Sequence, residues 1–233
     1  AGVRSLERQI AALCRKADRV IASGKRKSLK ITEKNLESYL GIPKYDKNQW
    51  DVEPKIGIVT GLAWTSVGGD TLSVEVSLVP GSGKVELTGN LGDVMKESAK
   101  IAMSCVRSMQ DTDIFEKQDI HIHVPEGAVP KDGPSAGITM TTAIYSAVRK
   151  QKVRGDIAMT GEVTLRGRVL PIGGLKEKLL AASQHGIREV LVPEQNRKDV
   201  TELSEEIIGG MQITYVRTIQ EVLDRALMKD RNI

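Results

Sequence analysis

Apolar residues recur at Leu6, Ile10, Leu13, Ala17, Val20 and Ile21 with arginines and lysines between them, so the spacing predicts an amphipathic helix over about Val3 to Ser23. A shorter helix follows: Thr32 suits an N-cap, Leu36, Tyr39 and Leu40 share a face, and Gly41 with Pro43 stops it. Two helices of this size cannot enclose a core, so residues 1–43 read as the tail of a helical subdomain. Residues 44–54 are polar and aperiodic and end in Pro54, which predicts a linker. From residue 55 to 233 the period changes. Ile56 to Trp64 predicts a strand, Gly68-Gly69-Asp70 a turn, and the alternation of Leu72, Val74, Val76 and Leu78 a second strand. Gly81-Ser82-Gly83 turns the chain again so that Lys84 to Leu87 pairs back, giving a β-meander. Val94, Ile101, Ala102, Cys105 and Met109 form a helical stripe, and Ile120, Ile122 and Val124 alternate with His121 and His123 in another strand.

The remainder alternates between the two periods. A helix is expected from Ser135, a strand at Ile157 to Met159, a hairpin around Gly167, a helix from Leu175, strands at Val190 to Val192 and near Ile213, and a final helix. The class is therefore α/β (α+β mixed), with mixed sheets and flanking helices after a short all-α segment. A hydrophobic content of 40% supports a packed core, and 3% aromatic residues means that Val, Ile, Leu, Ala and Met must build it. The net charge of +4 concentrates in Lys25-Arg26-Lys27, with Lys30 and Lys34 close behind. That run reads as a solvated loop, or else as a contact for DNA or an acidic partner. Cys14 and Cys105, each on an apolar helix face and with no CxxC spacing, point to a reducing, cytoplasmic setting. No apolar run reaches the roughly 18 residues of a membrane span, and no metal site is expected. The chain opens on Ala1 rather than Met, as a domain cut from a longer protein would.

The chemistry lies in Lys131-Asp132-Gly133-Pro134-Ser135-Ala136-Gly137 and Gly173-Gly174-Leu175-Lys176-Glu177-Lys178. A serine hydroxyl attacks a carbonyl at neutral pH only if a positioned base takes its proton. Lys178 can serve once desolvation favours its neutral form, and Leu175, Leu179, Leu180 and Ala181 flank it. Lys176 points to a different helical face. Gly133 and Gly137 permit a tight turn around Ser135, and a helix starting near Pro134 aims backbone N–H groups at the site, as an oxyanion hole requires. The same residues satisfy GxSxG, which opens a second hydrolase reading with His185 as base oriented by Asp156. Against it, Pro130 to Pro134 is a loop and not a strand feeding the serine, and His185 before Gly186 suits a helix C-terminus. A non-enzymatic reading makes the chain a nucleic-acid or partner-binding module that uses the basic run.

With Gly61-Leu62-Ala63-Trp64, Gly92-Asp93-Val94-Met95-Lys96-Glu97-Ser98, His121 to Gly127 and Met159-Thr160-Gly161-Glu162 added, these motifs resemble the Lon family of ATP-dependent Ser-Lys proteases over residues 55–233. The resemblance implies a serine endopeptidase with Ser135 as nucleophile and Lys178 as general base, Thr160 holding the amine, and Gly133 and Ala136 bordering the nucleophile. Asp132, if it reached Lys178, would favour the ammonium and switch the base off. His123 and Glu162 are candidates for a supporting role. The opening residues resemble the end of a AAA+ helical subdomain, in which Arg4 would sense nucleotide in the full-length protein. Gly81-Ser82-Gly83-Lys84 departs from a Walker A loop because Val85 replaces Ser/Thr and the first glycine is missing, so no ATP hydrolysis is expected from this chain. ATP and magnesium would serve the full-length protein. The family further implies homohexamers, and unfolded or regulatory proteins as substrates. Met109 to Phe115 is shorter than the connection in many relatives, which bears on loop detail rather than on the dyad.

Overall fold

The computed structural model describes residues 3–24, 26–42, 52–65, 68–110, 113–201, 203 and 208–229, which fall into two compact units, 1–48 and 49–233. In the first unit, α1 (Val3–Ala22) and α2 (Glu33–Leu40) bury no residue of their own. The predicted stop of α2 is present: Gly41 has φ 86° and its N–H donates to Glu37 O at 2.8 Å. Thr32 N donates to Asn35 Oδ1 at 2.7 Å, closing the helix start. Cys14, on α1, is exposed. Most of the expected linker, residues 44–51, and Lys25 lie outside the described residues.

The second unit is built on β1 (Ile58–Thr65), β2 (Gly68–Pro80), β3 (Val85–Thr88), α3 (Asp93–Met109), α4 (Asp113–Lys117), β4 (Gln118–His123), α5 (Gly137–Arg149), β5 (Ile157–Met159), β6 (Glu162–Val163), β7 (Val169–Leu170), α6 (Leu175–Gln184), β8 (Glu189–Pro193), α7 (Arg197–Thr201), β9 (Gln212–Val216) and α8 (Ile219–Ala226). Among the described residues the main sheet runs β3-β4-β2-β1-β5-β8-β9. It is antiparallel at β1–β2 and β2–β4 and parallel elsewhere. β6 and β7 form the predicted hairpin, with Gly167 at φ 75°.

Three expectations give way. Gly68, Gly69 and Asp70 belong to β2 rather than to a turn, pairing with Thr65, Trp64 and Ala63. The β-meander fails because β3 does not pair with β2: β4 lies between them, parallel to β3, where Ile120 and Ile122 become fully buried on both flanks. Val94 is exposed; the stripe α3 buries is Met95, Ser98, Ala99, Ala102, Met103, Cys105 and Val106.

The pleat divides the core in two. Val59, Val74, Val76, Met159 and Leu191 face α3, α5 and α8 in the larger cluster. Leu62, Ala158, Val190 and Val192 face Leu175, Leu179 and Ala182 of α6 in the smaller one. Thr160, two residues beyond Ala158, continues on the α6 side. Gly69 lets β2 and α6 meet: a Cβ there would lie 1.9 Å from Glu177 O.

Candidate active site

Leu175, Lys178, Leu179 and Ala182, at i, i+3, i+4 and i+7, form a buried stripe of α6, with Ala181 buried beside it. A lysine therefore occupies a position that the helix geometry hands to an apolar side chain, and it is 2% exposed. The helix starts at Gly174 with φ 65°, and Trp64 of β1 lies against it so closely that a Cβ would sit 2.9 Å from the indole Cγ. Lys178 Nζ reaches Ser135 Oγ at 2.9 Å and Thr160 Oγ1 at 3.1 Å. Thr160 is fully buried and donates its own proton to Ser135 O at 3.3 Å, so toward Lys178 it accepts. Burial, with no carboxylate in contact among the described residues, lowers Lys178 from the ordinary 10.5 to about 8.

Ser135 sits in a turn rather than in the helix, because α5 begins at Gly137, two residues later than the sequence predicted. Gly137 N donates to Pro134 O at 3.0 Å and Ile138 N to Gly161 O at 3.0 Å, so both amides are already committed. Ser135 O accepts from Gly161 N at 2.8 Å, which ties the turn to the segment carrying Thr160. Gly133 holds φ 113°, a conformation that favours glycine, and Ala136 is buried beside Ser135.

Asp132 points elsewhere than the sequence suggested. Its carboxylate accepts from Met95 N at 2.9 Å and Gly133 N at 2.8 Å, capping α3 from a distant loop, and these bonds hold it below the ordinary carboxylate range. It therefore restrains the loop that carries Ser135 instead of pairing with Lys178. Ser98 of α3 adds a bond from Oγ to Pro134 O at 3.4 Å. The sequence alone assigns Ser98 no partner, since nothing local signals a contact beyond the next strand.

Ser135 and Lys178 open onto a cavity of about 950 Å³ whose lining also includes Trp64, Asp132, Ala136 and Gly174. His123 and Glu162 are not among its lining residues. His123 Nδ1 and His121 Nε2 both bond Thr88 Oγ1, at 2.7 and 2.8 Å, and Glu162 lies on the short β6 strand paired with Leu170. His185 caps the far end of α6, its Nδ1 donating to Ala181 O at 2.8 Å, while Asp156 is held by Arg154 at 3.0 and 3.1 Å. The Ser-His-Asp arrangement is thus not assembled. The Gly81–Lys84 turn is no phosphate cradle either: Ser82 N and Lys84 N both donate to Asp119 Oδ1 at 2.8 Å. Arg4 is exposed on α1. Among the described residues no group of three or more His, Cys, Asp or Glu could hold a metal ion, and no helix is long and apolar enough to cross a membrane.

Comparison with known proteins adds to this geometry. Residues 30–229 match the family described as the Lon protease (S16) C-terminal proteolytic domain, and residues 1–31 the Lon protease AAA+ ATPase lid domain. Lon protease 1 of Bacillus subtilis (strain 168) is 54% identical over 236 residues, covering 99% of this chain and 30% of that protein. Lon protease of Brucella abortus biovar 1 (strain 9-941) is 56% identical over 234 residues, 98% of this chain and 29% of its own length. That of Erwinia amylovora is 53% identical over 232 residues, with 97% and 30% covered. The chain thus spans 29 to 30% of the length of these relatives.

Proposed function

Because the chain belongs to the Lon protease family, we propose that it hydrolyses peptide bonds as a Ser-Lys endopeptidase, the proteolytic part of an ATP-dependent protease acting on unfolded or regulatory proteins. The observation that carries the reading is the 2.9 Å approach of a buried lysine to Ser135 Oγ. With its pKa near 8, Lys178 is neutral in about a quarter of molecules at pH 7.5, against about one in a thousand at the ordinary value. The neutral amine has two N–H bonds and one lone pair. Thr160 has already donated its proton, so it takes an N–H from the amine and leaves the lone pair to accept from the Ser135 hydroxyl.

In the reaction, Ser135 Oγ attacks the substrate carbonyl as its proton passes to Nζ. The resulting ammonium returns that proton to the leaving amine. Water then attacks the acyl-enzyme with Lys178 again as base. Since Gly137 N and Ile138 N are committed, the amides of Ser135 and Ala136 are the candidates to hold the oxyanion. Residues 1–43 act as the end of the AAA+ lid, with Arg4 sensing nucleotide, and ATP and magnesium serve the ATPase part of the intact protein. A homohexamer enclosing the sites, and a cytoplasmic location, complete the family reading. DNA contact through the exposed Arg26, Lys27, Lys30 and Lys34 is a secondary role.

The test is peptide hydrolysis by Ser135→Ala and His185→Ala variants of the intact protein. Loss with the serine variant and retention with His185→Ala is expected. Loss with His185→Ala as well would reverse the assignment of the base, and retained hydrolysis by Ser135→Ala would remove the nucleophile.

A further inference from the structure

Lys131 lies four residues before Ser135, and the chemistry above gives it no role. Its ammonium donates to three main-chain carbonyls, Glu126 O at 2.7 Å, Val129 O at 3.1 Å and Gly89 O at 3.3 Å. Three acceptors use every proton the ammonium has. The backbone is tied as well, with Lys131 N donating to Asn90 O at 3.1 Å and Gly92 N donating to Lys131 O at 2.7 Å. Residues 125–130 leave the end of β4 and return at Lys131. Within them Pro125 and Pro130 lack an N–H, and Glu126 holds φ 65°, a conformation unfavourable to a residue with a Cβ. One backbone bond closes the segment on itself, Val129 N donating to Glu126 O at 3.0 Å, and it is the Lys131 side chain that ties this turn to Gly89. Pro125, Glu126, Val129 and Pro130 all line the cavity onto which Ser135 and Lys178 open.

We propose that Lys131 is a positioning residue for substrate binding: its side chain fastens both ends of the 125–130 loop to the Gly89 turn and so fixes one wall of the peptide-binding cavity. The proposal rests on the peptidase reading. Lys131 is not a second base, because its three protons point at carbonyl oxygens, which favour the charged form. Burial lowers its pKa and the Glu126 carboxylate pulls it part of the way back. Methionine fills the same space as lysine and removes all three donors; arginine keeps donors enough for the carbonyls.

The experiment measures kcat, KM and the pH profile of the intact protein on a short fluorogenic peptide, for Lys131→Met and Lys131→Arg. Lys131→Met is expected to raise KM about tenfold with kcat within about twofold, as loss of substrate-positioning contacts implies. The inflection near pH 8 set by Lys178 should stay in place, and Lys131→Arg should recover most of the KM. An unchanged KM would overturn the proposal, as would a loss confined to kcat with a displaced inflection. A parallel readout separates this from failure of the peptidase reading: on a Ser135→Ala background, fluorescence anisotropy follows binding of the uncleaved peptide. Lys131→Met should weaken that binding by the same factor, whatever Ser135→Ala does to hydrolysis. If Lys131→Met lowers the thermal midpoint so far that the protein is unfolded, Lys131→Gln takes its place in the binding assay, and unchanged affinity there counts against the role.

Discussion

Lys178 on α6 and Glu189 at the start of β8 are each 2% exposed, yet they meet enclosure in opposite ways. Burial alone would raise Glu189, but Arg225 at 2.5 Å, Thr214 at 2.7 Å and Arg154 at 2.7 Å outweigh it and hold the carboxyl below its ordinary value. Lys178 meets two hydroxyls and, among the described residues, no carboxylate. A buried charge given its counter-charges ties β8, β9, α8 and the segment before β5 together. One denied them gives up its proton near neutral pH and becomes available to chemistry. The two sites share a sheet and differ in partners, so the contrast rests on a handful of side chains.

The sharpest break would come from Lys178→Ala. Peptide hydrolysis should fall by on the order of a thousandfold or more, while thermal unfolding shows stability unchanged or raised, because a buried amine that meets hydroxyls but no carboxylate has left. Retained activity would end the contrast. Glu189→Ala should do the reverse: urea unfolding should show a loss of about 2 to 3 kcal/mol, since Arg225 and Thr214 lose their buried acceptor while Arg154 keeps Asp156, with the pH inflection of hydrolysis unmoved. Next in size is the pH dependence of stability itself. Folded Lys178 titrates near 8 and the unfolded side chain near 10.5, so between those values the unfolded chain binds more protons and stability rises with pH. The rise amounts to roughly 3 kcal/mol and should vanish from a urea-midpoint series on Lys178→Met. Glu189 works in the other direction: its contribution is present above its ordinary value of 4.5 and lost as pH falls through the lower folded value. Smallest is Thr160→Val, which removes the acceptor that orients the amine and should lower kcat about tenfold, read against a KM that stays near that of the unaltered protein.

Lys178 could be read in the sequence because helix periodicity places it in line with Leu175 and Leu179, and Ser135 because glycine and proline mark its turn. Most helices and strands were legible for the same reason: their period is local. Pairing was not. A four-residue strand such as β3 can join either neighbour, and nothing in its own pattern says that β4 will lie between it and β2. The cap formed by Asp132 was hidden because its partner amide, Met95 N, is 37 residues away. The five-residue helices α4 and α7 are too short for a period to register. Val94 misled because hydrophobicity was counted without asking which side of the helix the sheet would cover.

The turn at Gly81 to Lys84 keeps an anion of its own, and that has a consequence for what the surface can capture from solution. The Asp119 carboxylate is covalently attached to the adjoining strand, so it competes for the Ser82 and Lys84 amides at an effective concentration far above that of any dissolved metabolite. Even a Cβ at position 81 would come within 2.1 Å of Asp119 Cγ, which leaves no gap beside the occupant. A phosphate arriving there would have to evict a tenant that never diffuses away.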